Sequence, residues 1–276
     1  MKLQKKWLFI LFGIVVIGSM FAEKIVEFYF DWIWFTNHQF DSVFWTIILS
    51  QWGFGLATGV FFFIFTCFPL KRMFNKSSDM PVVLSDNVRR ELPLLDFIAS
   101  NLKHLMLFGP LALALMTGLI VGQKWELLQL YFKAVPFGNA DPIFGNDYSF
   151  YLFTLPLLNL GKSILWEILV ILGIGAGLIF FLKQFIYFGP SGIVMRQEAR
   201  RPLSFLAFYF LFLMAMEFHL KQYGLLVGGS GVISGIGFAD FHGQLPILQA
   251  MSVLSLIGAG LSFFIATGRG LKKVTL

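Results

Sequence analysis

The sequence predicts an all-α integral membrane protein, a bundle of about six transmembrane helices joined by short interfacial helices. Three observations carry that expectation. Hydrophobic residues make up 57% and charged residues 13% of the 276 residues, against about 45–50% and roughly 25% in soluble domains. Mean hydropathy is +0.77, and the apolar residues gather in runs close to the ~20 needed to cross a bilayer as a helix. The basic residues, finally, collect on alternate sides of those runs.

The first expected span covers residues 7–22 and follows Lys2, Lys5 and Lys6. A cleaved signal peptide is the competing interpretation. A cut after Ala22 would put Met20 where a small residue belongs, so an uncleaved anchor is expected. Residues 23–45 set Tyr29, Trp32, Trp34, Phe35 and Trp45 among acids, the composition of an outer interfacial segment. The second span, 46–69, places Gly55 and Gly59 at the spacing that lets two helices approach closely. Residues 70–103 form the long polar loop. There Ser85 or Asp86 is expected to cap a short amphipathic helix that Pro93 breaks or kinks, with Leu94, Leu95 and Ile98 towards the bilayer.

The third span is 104–122. Trp125, Leu128 and Phe132 then share one face of a short surface helix. The following stretch, 135–156, is too punctuated by Gly138, Pro142 and Gly145 to be a span and belongs to the outer loop 123–162. The fourth span, 163–185, carries Gly173 and Gly177 at the close-packing spacing and one acid, Glu167. A short basic loop leads to the fifth span, 203–220. A glycine-rich outer loop, 221–246, leads to the sixth, 247–267. All of 1–276 is expected to be one polytopic domain. The three outer segments share a pattern of acids among aromatics, though their spacings do not align.

Orientation follows from the charges. With both termini inside, the cytoplasmic side holds all but Lys24, Lys124, Lys133, Lys162 and Lys221 of the 21 basic residues. The positive-inside rule therefore expects a membrane protein with both ends cytoplasmic, and the net charge of +6 is a topology signal rather than a sign of nucleic-acid binding. The single cysteine, Cys67, excludes a disulfide within one chain.

Two sets of residues are candidates for chemistry. Asp141, Asp147, Glu217, His219, Asp240 and His242, with His38 more distant, are the outward-facing acids and imidazoles from which a metal site would be drawn. No spacing among them is a zinc motif. Glu217 and His219 lie about 200° apart on a helix, and Asp240 and His242 would chelate together only in an extended loop. The structural alternative is favoured. It has Asp141 opening an Asp-Pro turn and Asp147 or Ser149 capping the next helix. The second candidate is Glu167, an intramembrane acid and so by default a functional hypothesis, with a proton relay or transport path as its sharp form. Reaching water, or pairing with Lys162 or Lys124, at the interface about five residues into the span is the expected alternative.

Several classes are excluded. The glycines of 228–237 do not follow the dinucleotide fingerprint, no Gly-x-Ser-x-Gly nucleophile setting occurs, and His104 and His219 lie at opposite ends of their spans, unsuited to a shared haem. No cofactor is expected, and an enzyme is the less favoured class.

Residues 141–156, DPIFGNDYSFYLFTLP, preceded by WELLQLYFKAVPFG at 125–138, resemble the signature region of the bacterial multi-pass proteins grouped as uncharacterised protein family 0182. FTNHQFDSVFWT at 35–46, RRPLSFL at 200–206 and GFADFHGQLP at 237–246 extend the resemblance over nearly the whole chain. It implies a location in the bacterial plasma (inner) membrane and a helical architecture, without a catalytic residue to carry over. It also implies that members continue into a further span and a large extracytoplasmic domain, so this sequence is expected to match their N-terminal membrane region. The expected function is a membrane scaffold or partner-binding component with an aromatic-acidic extracytoplasmic face. The alternatives are a transporter or channel component and, third, a membrane enzyme with an outer-surface metal site. Expected partners are the lipid bilayer and either a second copy or another membrane or extracytoplasmic protein, with no nucleic acid.

Overall fold

The computed structural model describes residues 22–76, 91, 93–189, 192–228 and 235–267. The first expected span, the helix expected from Ser85 or Asp86, most of the glycine cluster at 228–237 and the basic C-terminal segment lie outside these residues. The chain divides into two compact units, Met1–Gly53 and Phe54–Leu276.

The described part of the first unit is a helical hairpin. Helix α1 (residues 22–37) ends in a turn where Gln39 takes φ 63° and helix α2 (Asp41–Lys76) begins. Thr36 Oγ1 donates to Asp41 Oδ1 at 2.8 Å, tying the two sides of the turn. Phe44 is buried, with Phe28 at 5.4 Å and Phe35 at 5.7 Å between ring centroids.

The second unit takes in the rest of α2, then α3 (Pro93–Ser100), α4 (Leu102–Gly122), α5 (Trp125–Phe132), α6 (Leu155–Leu182), α7 (Gln197–Val227) and α8 (Leu245–Ala266). Pro93 is the first residue of α3 as described, and residue 91 before it is also helical. Between α6 and α7 lies a two-stranded antiparallel ribbon of β1 (Ile186–Gly189) and β2 (Gly192–Met195) that pairs Ile186 with Met195. Among the described residues, five helical stretches, Asp41–Asn75, Leu102–Gly122, Phe150–Leu182, Glu198–Val227 and Asp240–Ala266, are long and apolar enough to cross a membrane.

Glycine sets the tightest packing. A methyl built on Gly55 would stand 2.7 Å from the Gly118 carbonyl oxygen, and one on Gly59 3.0 Å from that of Ala114. The Gly55–Gly59 face of α2 therefore lies backbone-to-backbone on α4, running antiparallel to it. The Gly173–Gly177 face of α6 behaves differently, with nothing within 4 Å of a methyl built on either residue. On α6 it is Gly175 that is packed, under the Leu70 side chain. Phe62, Leu70, Leu102, Ile168, Ile179 and Leu182 are the largest fully buried apolar side chains of this core.

Helices α6, α7 and α8 alternate in direction. Tyr209 Oη donates to the Leu165 carbonyl at 2.9 Å and Trp166 meets Phe210 edge-on at 5.8 Å. Ser252 Oγ of α8 donates to the Ala215 carbonyl of α7 at 3.2 Å, and Phe263 packs against Phe208 and Phe205. Small residues at Ala215, Ser252, Ser255 and Ala259 are buried along this pair.

Helices α6 and α8 start in the same way. Each is preceded by a π-helical turn, Phe150–Thr154 and Asp240–Gln244, and each then reads Leu-Pro. The Leu155 N–H reaches back five residues to the Phe150 carbonyl, as the Leu245 N–H does to Asp240. The cause is Pro156 and Pro246, which supply no N–H and whose rings crowd the carbonyl four residues earlier, so the turn widens by one residue. Both leucines are buried.

Candidate functional site

The helix starts of α6 and α8 and the end of α7 lie at one end of the second unit, with the loop 133–149 between α5 and α6. That loop is built around its two acids. Asp141 is 4% exposed. Its Oδ1 accepts the N–H groups of Ile143 (2.9 Å) and Phe144 (2.6 Å), while Oδ2 accepts the Asn146 N–H and the Tyr151 hydroxyl, both at 2.8 Å. Asp147 Oδ1 accepts the N–H groups of Phe137 at 3.0 Å and Ser149 at 2.8 Å, and its Oδ2 that of Gly138 at 2.8 Å. Ala140 pairs with Asp147 as an antiparallel bridge, closing the hairpin. Gly138 (φ 78°) and Gly145 (φ 72°) turn its corners in the left-handed region, where glycine carries no Cβ penalty.

These contacts set the electrostatics. Burial pushes the Asp141 carboxyl up. The hydrogen bonds from Phe144, Tyr151, Ile143 and Asn146 outweigh it and hold the group below the ordinary carboxylate range. Hydrogen bonds from Ser149 and Phe137, with Gly138 contributing less, hold Asp147 far below that range. Both carboxylates are thus stabilised as anions by N–H and O–H donors.

The loop stands on the end of α7. Tyr223 meets Phe144 at 4.9 Å, Phe150 at 5.1 Å and Tyr151 at 6.3 Å between ring centroids. Tyr151, Leu155 and Leu220 form a small buried cluster there. Lys162 Nζ of α6 lies 2.9 Å from Glu217 Oε2 of α7, and Lys221 Nζ 3.3 Å from Glu217 Oε1.

The remaining candidates are placed separately. His219 Nε2 lies 3.3 Å from the Tyr223 hydroxyl. Asp240 Oδ2 accepts the Gly237 N–H at 3.2 Å, while His242 stacks on Phe238 at 4.1 Å with Nδ1 3.2 Å from its carbonyl. Asp240 and His242 sit in a π-helical turn rather than an extended loop. In the first unit, His38 stacks on Trp34 at 4.6 Å. Among the described residues, no three His, Cys, Asp or Glu side chains come together where a metal ion could be held.

Of the lysines expected near Glu167, Lys162 is taken by Glu217. The Glu167 carboxylate accepts from Thr117 Oγ1 of α4 at 3.2 Å, beside a cavity of about 290 Å³ whose rim includes Lys124. A second, larger cleft of about 520 Å³ lies between the loop and the start of α8, where Pro142, Ile143 and Phe144 face Phe241, His242 and Pro246. Sequence reasoning missed Tyr223, which organises this end. The available signal was its place one turn after His219 and two residues after Lys221, on the face that also carries Leu220.

The family model described as "Uncharacterised protein family (UPF0182)" matches residues 8–276. The chain belongs to that family. A UPF0182 protein of Moorella thermoacetica is 35% identical over 257 residues, which are 89% of this chain and 27% of that protein. One from Saccharopolyspora erythraea is 30% identical over 268 residues, 95% of this chain and 27% of its own. One from Geobacter sulfurreducens is 29% identical over 262 residues, 91% of this chain and 29% of its own. The chain thus spans less than a third of the length of these UPF0182 relatives. No solved structure matches it.

Proposed function

We propose that this UPF0182 chain is a membrane scaffold of the bacterial plasma membrane. In this reading both termini are cytoplasmic, and the loop 133–149 and the starts of α6 and α8 form a partner-binding face outside. The observation that carries it is the construction of that face. Asp141 and Asp147 use their oxygens to fix backbone N–H groups. The result is a rigid platform beside a cleft, with Val135, Phe137 and Tyr148 exposed. Carboxylates held as anions by backbone donors are poor general acids and bases, whereas a fixed aromatic surface suits protein contact. The charge count supports the orientation. Lys71, Arg72, Lys103, Lys183, Arg196, Arg200 and Arg201 fall at the opposite ends of the helices from the loop.

The test is purification of the tagged chain from its own membranes in mild detergent. A partner recovered in fixed stoichiometry, and lost when Phe137 and Tyr148 are both changed to Ser, is the expected result. Recovery of the chain alone as a monodisperse monomer would overturn the scaffold reading.

A further inference from the structure

The outer platform leaves one polar group unexplained. Glu167 is exposed on the side of α6, within a stretch apolar enough to cross a membrane. Its hydrogen bond is to the neutral Thr117 hydroxyl, and among the described residues no basic side chain forms an ion pair with it. Lys162 lies about 7.5 Å nearer the start of the helix and is committed to Glu217. Lys124 lines the same cavity without forming an ion pair with Glu167, and an acid within such a stretch is costly unless a cation or a proton reaches it.

The surface around Glu167 has the form of a helix seat. From it an exposed stripe runs along α6 through Val170, Ile174, Gly177 and Phe181. That alternation of three- and four-residue steps is the seam along which one helix packs on another. The face is open at Gly173 and Gly177, where an added methyl would meet nothing within 4 Å. Asn159 and Ser163 line the cavity beside the carboxylate and offer the short polar side chains that hydrogen-bond between helices in lipid.

We infer that this face of α6 seats a transmembrane helix from outside residues 1–276, one carrying a Lys or Arg opposite Glu167. The charge selects that occupant. A second copy related by a twofold axis through this face would set Glu167 against Glu167, and like charges repel strongly where the dielectric constant is low. The chain's own apolar run at 7–22 contains no Lys or Arg. A basic residue from another helix both neutralises the carboxylate and fills the seam. This deepens the partner-binding reading above and rests on it.

The experiment uses the full chain, labelled with a donor dye and reconstituted in phosphatidylcholine vesicles. The probes are two acceptor-labelled polyleucine transmembrane peptides, one with a single mid-span lysine and one without. Energy transfer is expected to show the lysine peptide binding at least tenfold more tightly. That preference should disappear in Glu167→Gln and persist in Glu167→Asp. Equal binding of the two peptides, or a preference that survives Glu167→Gln, overturns the inference.

A photo-crosslinker at Val170 in native membranes gives a second readout. An adduct with a basic transmembrane segment from outside residues 1–276 supports the seat, while an adduct with a second copy or with residues 7–22 overturns it. If a stoichiometric partner co-purifies equally with wild type and Glu167→Gln, the seat is wrong and the scaffold reading stands. If no partner co-purifies with wild type, the scaffold reading itself falls.

Discussion

Lys162 crosses from α6 to α7 to meet Glu217 at 2.9 Å, and Lys221 approaches the same carboxylate from one turn along α7. The two lysines are not equivalent. Lys162 has a side chain 13% exposed and Lys221 one 56% exposed. Surface pairs contribute about 0–1 kcal/mol, whereas breaking a well-covered pair strands its partner. Lys162→Ala is therefore expected to lower stability by roughly 1–3 kcal/mol, and Lys221→Ala by less than about 0.5 kcal/mol. Thermal unfolding in one detergent compares them directly. Equal effects would mean that the α6–α7 contact does not depend on this pair.

Asp141 and Tyr151 make the parallel case for the loop. Tyr151→Phe removes one donor to a buried carboxylate, a hydrogen bond worth about 1.5–3 kcal/mol, and leaves three backbone donors in place. Asp141→Asn is expected to cost more, because an amide turns an N–H₂ group towards donors that need an acceptor. Hydrogen exchange of the 143–149 amides should rise modestly in the first variant and strongly in the second. The reverse order would show that Tyr151, rather than the carboxylate, organises the hairpin.

The same loop predicts a direction of pH dependence. Both acids titrate below their ordinary value of 3.8 when folded. A carboxyl whose folded value is depressed contributes stability that is present above its unfolded value and lost as pH falls through the folded one. Order in 137–149 should therefore be constant from pH 8 to about pH 5 and begin to fail only below about 4. Asp147→Asn should flatten its part of that acid limb. Exchange rates corrected for intrinsic pH effects provide the measurement, and a transition near pH 6 would implicate another group.

The helices were readable from the sequence because a span is a local property of length and hydropathy. The helix starts were less so. Pro156 reads as the end of a broken loop, yet a π-helical turn absorbs its missing N–H and carries the helix back to Phe150. The turn roles of Asp141 and Asp147 were legible, since Asp-Pro and Gly-Asn-Asp are local signals. The partner of Lys162 was not, because Glu167 and Glu217 are equally plausible until the relative rotation of α6 and α7 is known. The two Gly-x-x-x-Gly pairs look alike in sequence for the same reason, and only packing separates the one that is filled from the one that is open.

That separation gives a final prediction. A Cβ at Gly118 would come within 2.7 Å of the Gly55 carbonyl oxygen, backbone against backbone, with no flexible side chain to yield. Gly118→Val must push α2 and α4 apart, and overpacking of this kind costs about 1–3 kcal/mol. Gly173→Ala and Gly177→Ala meet nothing. In the isolated chain they should be neutral or stabilising by up to about 1 kcal/mol, the helix-propensity gain of Ala over Gly. Unfolding in detergent tests both halves. If Gly177→Ala destabilises the isolated chain as much as Gly118→Val, the α6 face is already occupied by the chain itself. If it is neutral there but weakens binding of the lysine peptide, the face is open and the seam along Val170, Ile174 and Gly177 is where the second helix packs.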